Sequence, residues 1–206
     1  MARPQAADYD DRRRSILDRA AALFAEHGFT RTSIAQLAQA CHASKAWLYH
    51  YYPSKEAVLY DIMSDHMERL LDAAESSLAA GGDAPARLRR LSRDLMSIYG
   101  GAKAEHTVLV NELASLPAPK RAEIVRLERN LLARIADLLA EINPGVTTSL
   151  RAPSVMLYMG MLNWTYTWFD ERGSVSPTRF ADLAADVFLE GFVRTTHSGA
   201  SIDAVA

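Results

Sequence analysis

An all-α chain of nine helices, divided into a small N-terminal part and a larger C-terminal one, is the fold the sequence predicts. Three observations predict it. Apolar residues recur every three to four positions, strand-like alternation never lasts beyond three or four residues, and helix stop signals separate the segments. Those signals are Gly28, Gly81-Gly82, Gly100-Gly101, Pro117 and Asn143-Pro144-Gly145.

The first helix covers 11–27, with Ile16, Ala20, Leu23, Phe24 and His27 on one face and Gly28 as its C-terminal cap. Thr32 or Ser33 caps a short helix, "IAQLAQA", whose Ile34, Leu37 and Ala38 face inward. After "CHA", Ser44 caps a second short helix through about His50, and Pro53 ends it. Ser54 caps a long helix that stops at Gly81-Gly82. Helices then follow over about 85–99, 102–116, 119–142 and 151–169. The ninth begins with Ser176 as cap and Pro177 at the first helical position, and runs to about Thr195. The expected division is 1–55, 56–197 and a loose tail 198–206, with 1–8 a loose arm.

Composition sets the class. With 206 residues, 49% hydrophobic and 23% charged, the chain can bury a sizeable core. A single cysteine, Cys41, makes no internal disulfide and suits a reducing cytoplasm. "MARPQAADYDDRRR" lacks the apolar run of a signal peptide, and 155–169 is too short and polar to span a bilayer. A cytoplasmic protein without a membrane partner is expected. The charge is uneven: 1–55 hold 8 Lys/Arg against 5 Asp/Glu, and the remainder 15 against 20. A basic small segment on an acidic larger one points to nucleic acid.

The segment "SKAWLYHYYPSK" (44–55) carries one Trp, three Tyr and one His between two lysines, although the whole chain has 3 Trp and 8 Tyr. A core stretch would use Leu, Ile or Phe, because a buried Tyr hydroxyl or Trp N–H needs a partner. Two brief helices joined by a tight turn have the dimensions of a helix-turn-helix, whose second helix enters the major groove. Ser44 can cap that helix and leave backbone N–H groups facing a phosphate, while Lys45 and Lys55 pair with phosphates on either side. Leu48 anchors the helix, and Trp47, Tyr49 and His50 point to the groove. Together with Thr32 and Ser33 these form the candidate DNA-binding set. The alternative is a helical hairpin whose aromatics pack on the next long helix, as Tyr51 and Tyr52 are expected to do.

In the larger part, "RFADLAADVFLEGFVR" repeats apolar residues, among them Phe180, Leu183, Val187, Phe188 and Phe192, with small Ala and Gly between them. With 151–169 it could make half of a four-helix bundle across a two-fold axis, or else be buried within one protomer. Helix 151–169 is apolar nearly all round. One stripe holds Val155, Met159, Leu162, Asn163 and Tyr166, the other Leu157, Met161, Trp164 and Trp168. One faces a partner and one a pocket; periodicity leaves open which, and the assignment adopted gives Trp164 and Trp168 to the dimer. The candidate ligand set is Arg89, Arg93, Met96, Tyr99, His106, Asn111, Arg126, Met159, Asn163 and Tyr166. Met and aromatic side chains make an adaptable lining, and arginines at its mouth suit phosphates.

The run "ILDRAAALFAEHGFTRTSIAQLAQACHASKAWLYHYYPSKEAVL" (16–59) resembles the DNA-binding domain of the TetR (tetracycline-repressor-like) family, through "A..LF.E.GF..TS", "SIAQLAQA" and "SK..LYHYYPSKE". The resemblance implies a homodimeric, one-component repressor of a palindromic double-stranded DNA operator, with no cofactor. It matches Thr32, Lys45, Tyr49, His50 and Lys55 to places where relatives touch DNA. A small molecule bound by the larger domain would release the DNA by favouring the incompetent state. The half-sites would lie roughly 34–36 Å apart. "HTVLVNEL…LPAPKRAEIVRLERNLL" and "NWTYTWFDERGSVSPTRFADLAADVFLEGF" are similar to a TetR subgroup that answers to acyl-CoA thioesters, phenylacetyl-CoA being one choice. Two positions depart from the pattern. His42 stands where relatives carry a turn glycine, and Trp47 replaces a small residue.

An enzyme is disfavoured: the chain has no Gly-rich phosphate loop, no "GxSxG" and no clustered metal ligands. A ligand-independent or architectural DNA-binding protein, or a repressor answering to a non-CoA hydrophobic ligand, remain the alternatives.

Overall fold

The computed structural model describes residues 3–170 and 172–193, and those residues form helices joined by turns, without a strand. In chain order they are α1 (Arg3–His27), α2 (Ile34–Ala40), α3 (Lys45–Tyr51), α4 (Lys55–Ala79) and α5 (Ala84–Gly101). There follow α6 (Lys103–Glu112), a 3-10 turn (Leu113–Ser115), α7 (Ala118–Ile142), α8 (Thr148–Asn163), the single turn α9 (Thr165–Trp168) and α10 (Pro177–Val193). No helix among the described residues is long and apolar enough to cross a membrane.

The nine expected segments are all helical among the described residues, the expected end at Thr195 lying outside them; the expected helix 102–116 finishes in the 3-10 turn, and three further local differences appear. Helix α1 begins at Arg3, so the expected loose arm 1–8 is helical from that residue. Helix α8 starts at Thr148, ahead of Pro153, which lies inside it. The expected helix 151–169 is interrupted at Trp164, where the Thr165 hydroxyl donates to the Leu162 carbonyl at 2.6 Å and competes with the helical ladder. The start of α10 is as expected: Ser176 Oγ accepts from the Arg179 N–H at 3.2 Å. The expected tail 198–206 lies outside the described residues.

Cα packing divides the chain into two compact units, neither ending at residue 55. The first joins the chain up to Arg69 with Ala102–Glu128. The second joins Leu70–Gly101 with the described residues from Arg129 onward. Part of the sequence expected in the ligand domain, α6 and the start of α7, thus packs in the unit that holds α1–α3.

In the first unit, Ile16, Leu17, Ala20, Ala21 and Phe24 of α1 are buried, the i, i+4 stripe that drives a helix onto its neighbours. Leu37 and Ala38 of α2, Leu48 of α3, Leu59, Ile62 and Met63 of α4 and Val108 of α6 are buried in the same unit. In the second, α5 buries Leu88, Leu91, Leu95 and Tyr99, α8 buries Val155, Tyr158 and Leu162, and α10 buries Ala181, Ala184, Phe188 and Phe192. A Ser92–Tyr158 hydroxyl pair at 2.8 Å satisfies the polar end of Tyr158.

Candidate nucleic-acid interface

The reading head is built by two short capped helices. Ser33 opens α2 with a capping box: its hydroxyl accepts from the Gln36 N–H (3.2 Å), and Gln36 Oε1 accepts from the Ser33 N–H (2.8 Å). Helix α2 closes in a Schellman turn, with the Ala43 N–H donating to the Ala38 carbonyl and the His42 N–H to the Gln39 carbonyl. His42 occupies the left-handed position with φ 52°, the conformation its glycine-replacing place in the sequence called for. Arg19 of α1 donates to the Ala40 carbonyl and ties the end of α2 down. Ser44 then caps α3, accepting from the Trp47 N–H at 3.1 Å.

On α3, Leu48 is fully buried, Lys45 and His50 are exposed and Tyr49 is 51% exposed. Trp47 is half-buried: its ring centre lies 4.6 Å from that of Tyr51. Lys45, Tyr49 and His50, with the exposed cap residues Ser33 and Ser44, form one solvent-facing surface of the type that suits a groove.

Thr32 and Lys55 are placed differently from the expectation. Thr32 is buried and its hydroxyl donates to the Gly28 carbonyl at 2.9 Å. The Lys55 ammonium donates to the Phe29 and Thr32 carbonyls, both at 2.7 Å, and lies 4.1 Å from the Phe29 ring centre. Both side chains are committed to holding the 28–32 loop that feeds α2, so in this structure neither presents itself to a phosphate. From the other side, Glu112 at the end of α6 accepts from the Phe29 N–H at 3.0 Å and from the Ser115 hydroxyl at 2.9 Å. Gly28 sits there at φ 84°, a left-handed conformation that a side chain would strain, although an added Cβ would meet the Glu112 carboxylate only at an ordinary contact distance of 3.4 Å. Sequence reasoning missed Glu112; nothing local marks it, because its partner is 83 positions away. Cys41 is partly exposed, and burial pushes its thiol pKa up against the opposing pull of Arg19, which disfavours a reactive thiolate.

The candidate ligand residues fall in both units. In the first, buried His106 on α6 lies 3.2 Å, nitrogen to nitrogen, from buried His66 on α4, and Arg69 approaches the other His66 nitrogen at 3.3 Å. An arginine only donates, so His66 Nδ1 accepts and its Nε2–H points to His106. Burial, with the nearby His106 and Arg69, pushes the His66 pKa down to about 3. Asn111 and Arg126 are exposed.

In the second unit, Tyr99 donates to the Asn163 side-chain carbonyl at 2.7 Å, and Met96, 3.8 Å from the Thr165 hydroxyl, and Met159 are buried. Tyr166 is half-buried. Arg89 and Arg93 are engaged elsewhere, pairing with Asp186 (2.8 Å) and Asp182 (2.6 Å) of α10. They bind α5 to α10 rather than standing over a pocket.

The two stripes of the 151–169 segment separate as well. Val155, Met159 and Leu162 turn inward; Leu157 is 68% and Trp164 64% exposed, and Trp168 is exposed too. Leu183 and Val187 of α10 are likewise exposed. Phe180 packs between Trp168 and Phe169, both ring centres at 5.5 Å. Phe188 and Phe192, expected at a dimer face, are buried instead; they stack at 5.1 Å, and Phe188 meets Tyr158 at 5.4 Å. Between α8 and α10 runs an apolar groove of about 410 Å³, lined by Val146, Leu150, Leu157, Met161 and Val187 among others. It does not include Met159, Asn163 or Tyr166.

Known proteins are similar to this chain in sequence and in fold. The family model described as bacterial regulatory proteins, tetR family, matches residues 16–62, and that described as tetracyclin repressor-like, C-terminal domain, matches residues 81–192. The HTH-type transcriptional repressor KstR2 of Rhodococcus jostii (strain RHA1) is 31% identical over 113 residues, 53% of this chain and 54% of its own. The chain thus spans about half the length of that curated relative. A TetR-family transcriptional regulator from Bordetella parapertussis 12822 superposes with a TM-score of 0.84 at 36% identity, over 90% of this chain and 98% of that one. AibR, solved in complex with isovaleryl coenzyme A and operator DNA, gives 0.75 at 26% identity, over 85% and 97%.

Proposed function

The chain belongs to the TetR family of bacterial regulatory proteins, and from that premise we propose that it is a homodimeric transcriptional repressor released from its operator by an acyl-CoA thioester. The observation that carries the DNA-binding part is the surface of α3. A capped seven-residue helix, anchored by Leu48 and preceded by a left-handed turn, presents Lys45, Tyr49 and His50 to solvent. Lysine and the α3 N-terminus take phosphates; the phenol and imidazole take base edges. Dimerisation is assigned to the exposed apolar side chains of α8–α10, chiefly Leu157, Trp164, Trp168, Leu183 and Val187. They form a patch of the kind that a soluble protein covers with a partner.

The effector class is supported by the isovaleryl coenzyme A bound by AibR and by the three methionines of α8, with Trp164, Tyr166 and Trp168 following it at the α9 turn. A CoA phosphate at Arg89 or Arg93 would have to displace Asp186 or Asp182 from its arginine. Mechanistically, the thioester binds the DNA-incompetent state better and drains the competent one.

The test is fluorescence anisotropy of labelled DNA from upstream of the protein's own gene, at fixed salt. Addition of isovaleryl-CoA, phenylacetyl-CoA or a long-chain acyl-CoA is expected to lower the anisotropy, while the matching free acids leave it unchanged. DNA binding that no thioester relieves would remove the effector class and keep the DNA reading; Tyr49→Ala binding at full strength would remove the α3 surface.

A further inference from the structure

We propose that Tyr9 is a positioning residue for the reading surface: acting through Tyr51, it fixes Trp47 and His50 on α3 and thereby sets base preference, a role that rests on reading α3 as the DNA-contacting helix. Helix α3 has seven residues and a single buried anchor of its own, Leu48. One anchor holds a short helix in place but leaves its rotation about its own axis weakly determined. Tyr51, at its last position, supplies the second constraint. Its ring centre lies 4.6 Å from Trp47 at an interplanar angle of 49°, and 5.3 Å from His50 in an edge-on arrangement at 88°. The ring that stacks most nearly parallel on Tyr51 comes from a different element: Tyr9 of α1, at 4.9 Å and 25°.

The grip has a second point. Arg13, four residues on from Tyr9 and therefore on the same face of α1, pairs with Asp61 at 2.5 Å and lies 5.9 Å from the Tyr52 ring. Tyr9 and Arg13 thus hold Tyr51 and Tyr52, the end of α3 and its C-cap. Stacked aromatic rings gain from their geometry beyond the area they bury. A side chain held in one rotamer discriminates between bases, whereas one that samples several adapts to all of them.

The experiment uses the full chain. A duplex is selected from a random library by the wild-type protein, and a scrambled duplex of the same composition serves as reference. Anisotropy is measured on both, over a series of salt concentrations, for wild type, Tyr9→Ala, Tyr9→Leu and Tyr9→Phe. Tyr9→Ala and Tyr9→Leu are expected to bind the selected duplex about five- to tenfold more weakly. Their affinity for the scrambled duplex and the salt slope should stay as in wild type, because phosphate contacts are untouched. Tyr9→Phe keeps the ring and should keep the wild-type ratio of the two affinities. An unchanged ratio in Tyr9→Leu overturns the proposal, and so does equal weakening on both duplexes, which would mark general loosening. A wild-type protein that enriches no sequence overturns the reading of α3 itself, and the proposal with it.

Discussion

His66 is a buried imidazole whose surroundings hold it neutral. Burial is the largest cause, His106 and Arg69 add to it, and together they push its pKa down to about 3. In the unfolded chain the same group titrates near 6.5. As pH falls below that value the unfolded state takes up a proton that the folded state refuses, so stability is full above pH 6.5 and drains as the pH drops toward the folded pKa. At about 1.4 kcal/mol per pH unit, the loss from this residue between pH 6.5 and pH 5 is about 2 kcal/mol. Urea denaturation at pH 7, 6 and 5 should show the decline in the wild type and a flatter profile in His66→Gln; parallel profiles would contradict it. Single residues also show what sequence can and cannot say. The left-handed turn at His42 was visible through the family resemblance, because His42 stands where relatives carry a turn glycine. Lys55 was not. An ammonium next to a helix start can face a phosphate or fold back on its own loop, and only the tertiary position of the Phe29 and Thr32 carbonyls decides between them.

At the scale of elements, helix α6 belongs with the reading head through Glu112. Its carboxylate accepts from the Phe29 N–H and the Ser115 hydroxyl, and so links the end of α6 to the 28–32 loop that leads into the Ser33 cap. Removing the acceptor leaves a partly buried N–H without its bond, at a penalty of about 1–3 kcal/mol. Glu112→Ala is therefore expected to destabilise the protein by that amount in chemical denaturation and to weaken operator binding in the same assay. Glu112→Gln, whose side-chain carbonyl still accepts, should recover most of both. Operator affinity that is equal in all three proteins would show that the link does not position α2. The helices themselves were legible, since an apolar repeat of three to four residues, Ser caps and Gly or Pro stops survive any tertiary arrangement. The break at Trp164 was not, because it depends on the Thr165 hydroxyl capturing the Leu162 carbonyl instead of facing outward.

For the whole molecule, the periodicity of α8 and α10 showed broad apolar surfaces without showing which residues are core. Phe188 and Phe192 had the composition of an interface and are buried within the second unit, whereas Leu157, Trp164, Leu183 and Val187 stay exposed. The exposed set beside the apolar groove makes a sharp prediction about assembly. In the homodimer proposed above, those side chains are covered by a second copy, and a carboxylate placed among them would be stranded in an apolar interface. The double variant Leu157→Glu, Val187→Glu should therefore sediment as a monomer while keeping the wild-type far-ultraviolet circular dichroism, because both positions are exposed within the protomer. A monomer engages one half-site at a time and loses the effective concentration that a linked second head provides, so operator affinity should drop on the order of a hundredfold or more. A variant that remains dimeric in sedimentation would move the interface to another face, and one that is monomeric yet binds the operator undiminished would show that a single reading head suffices.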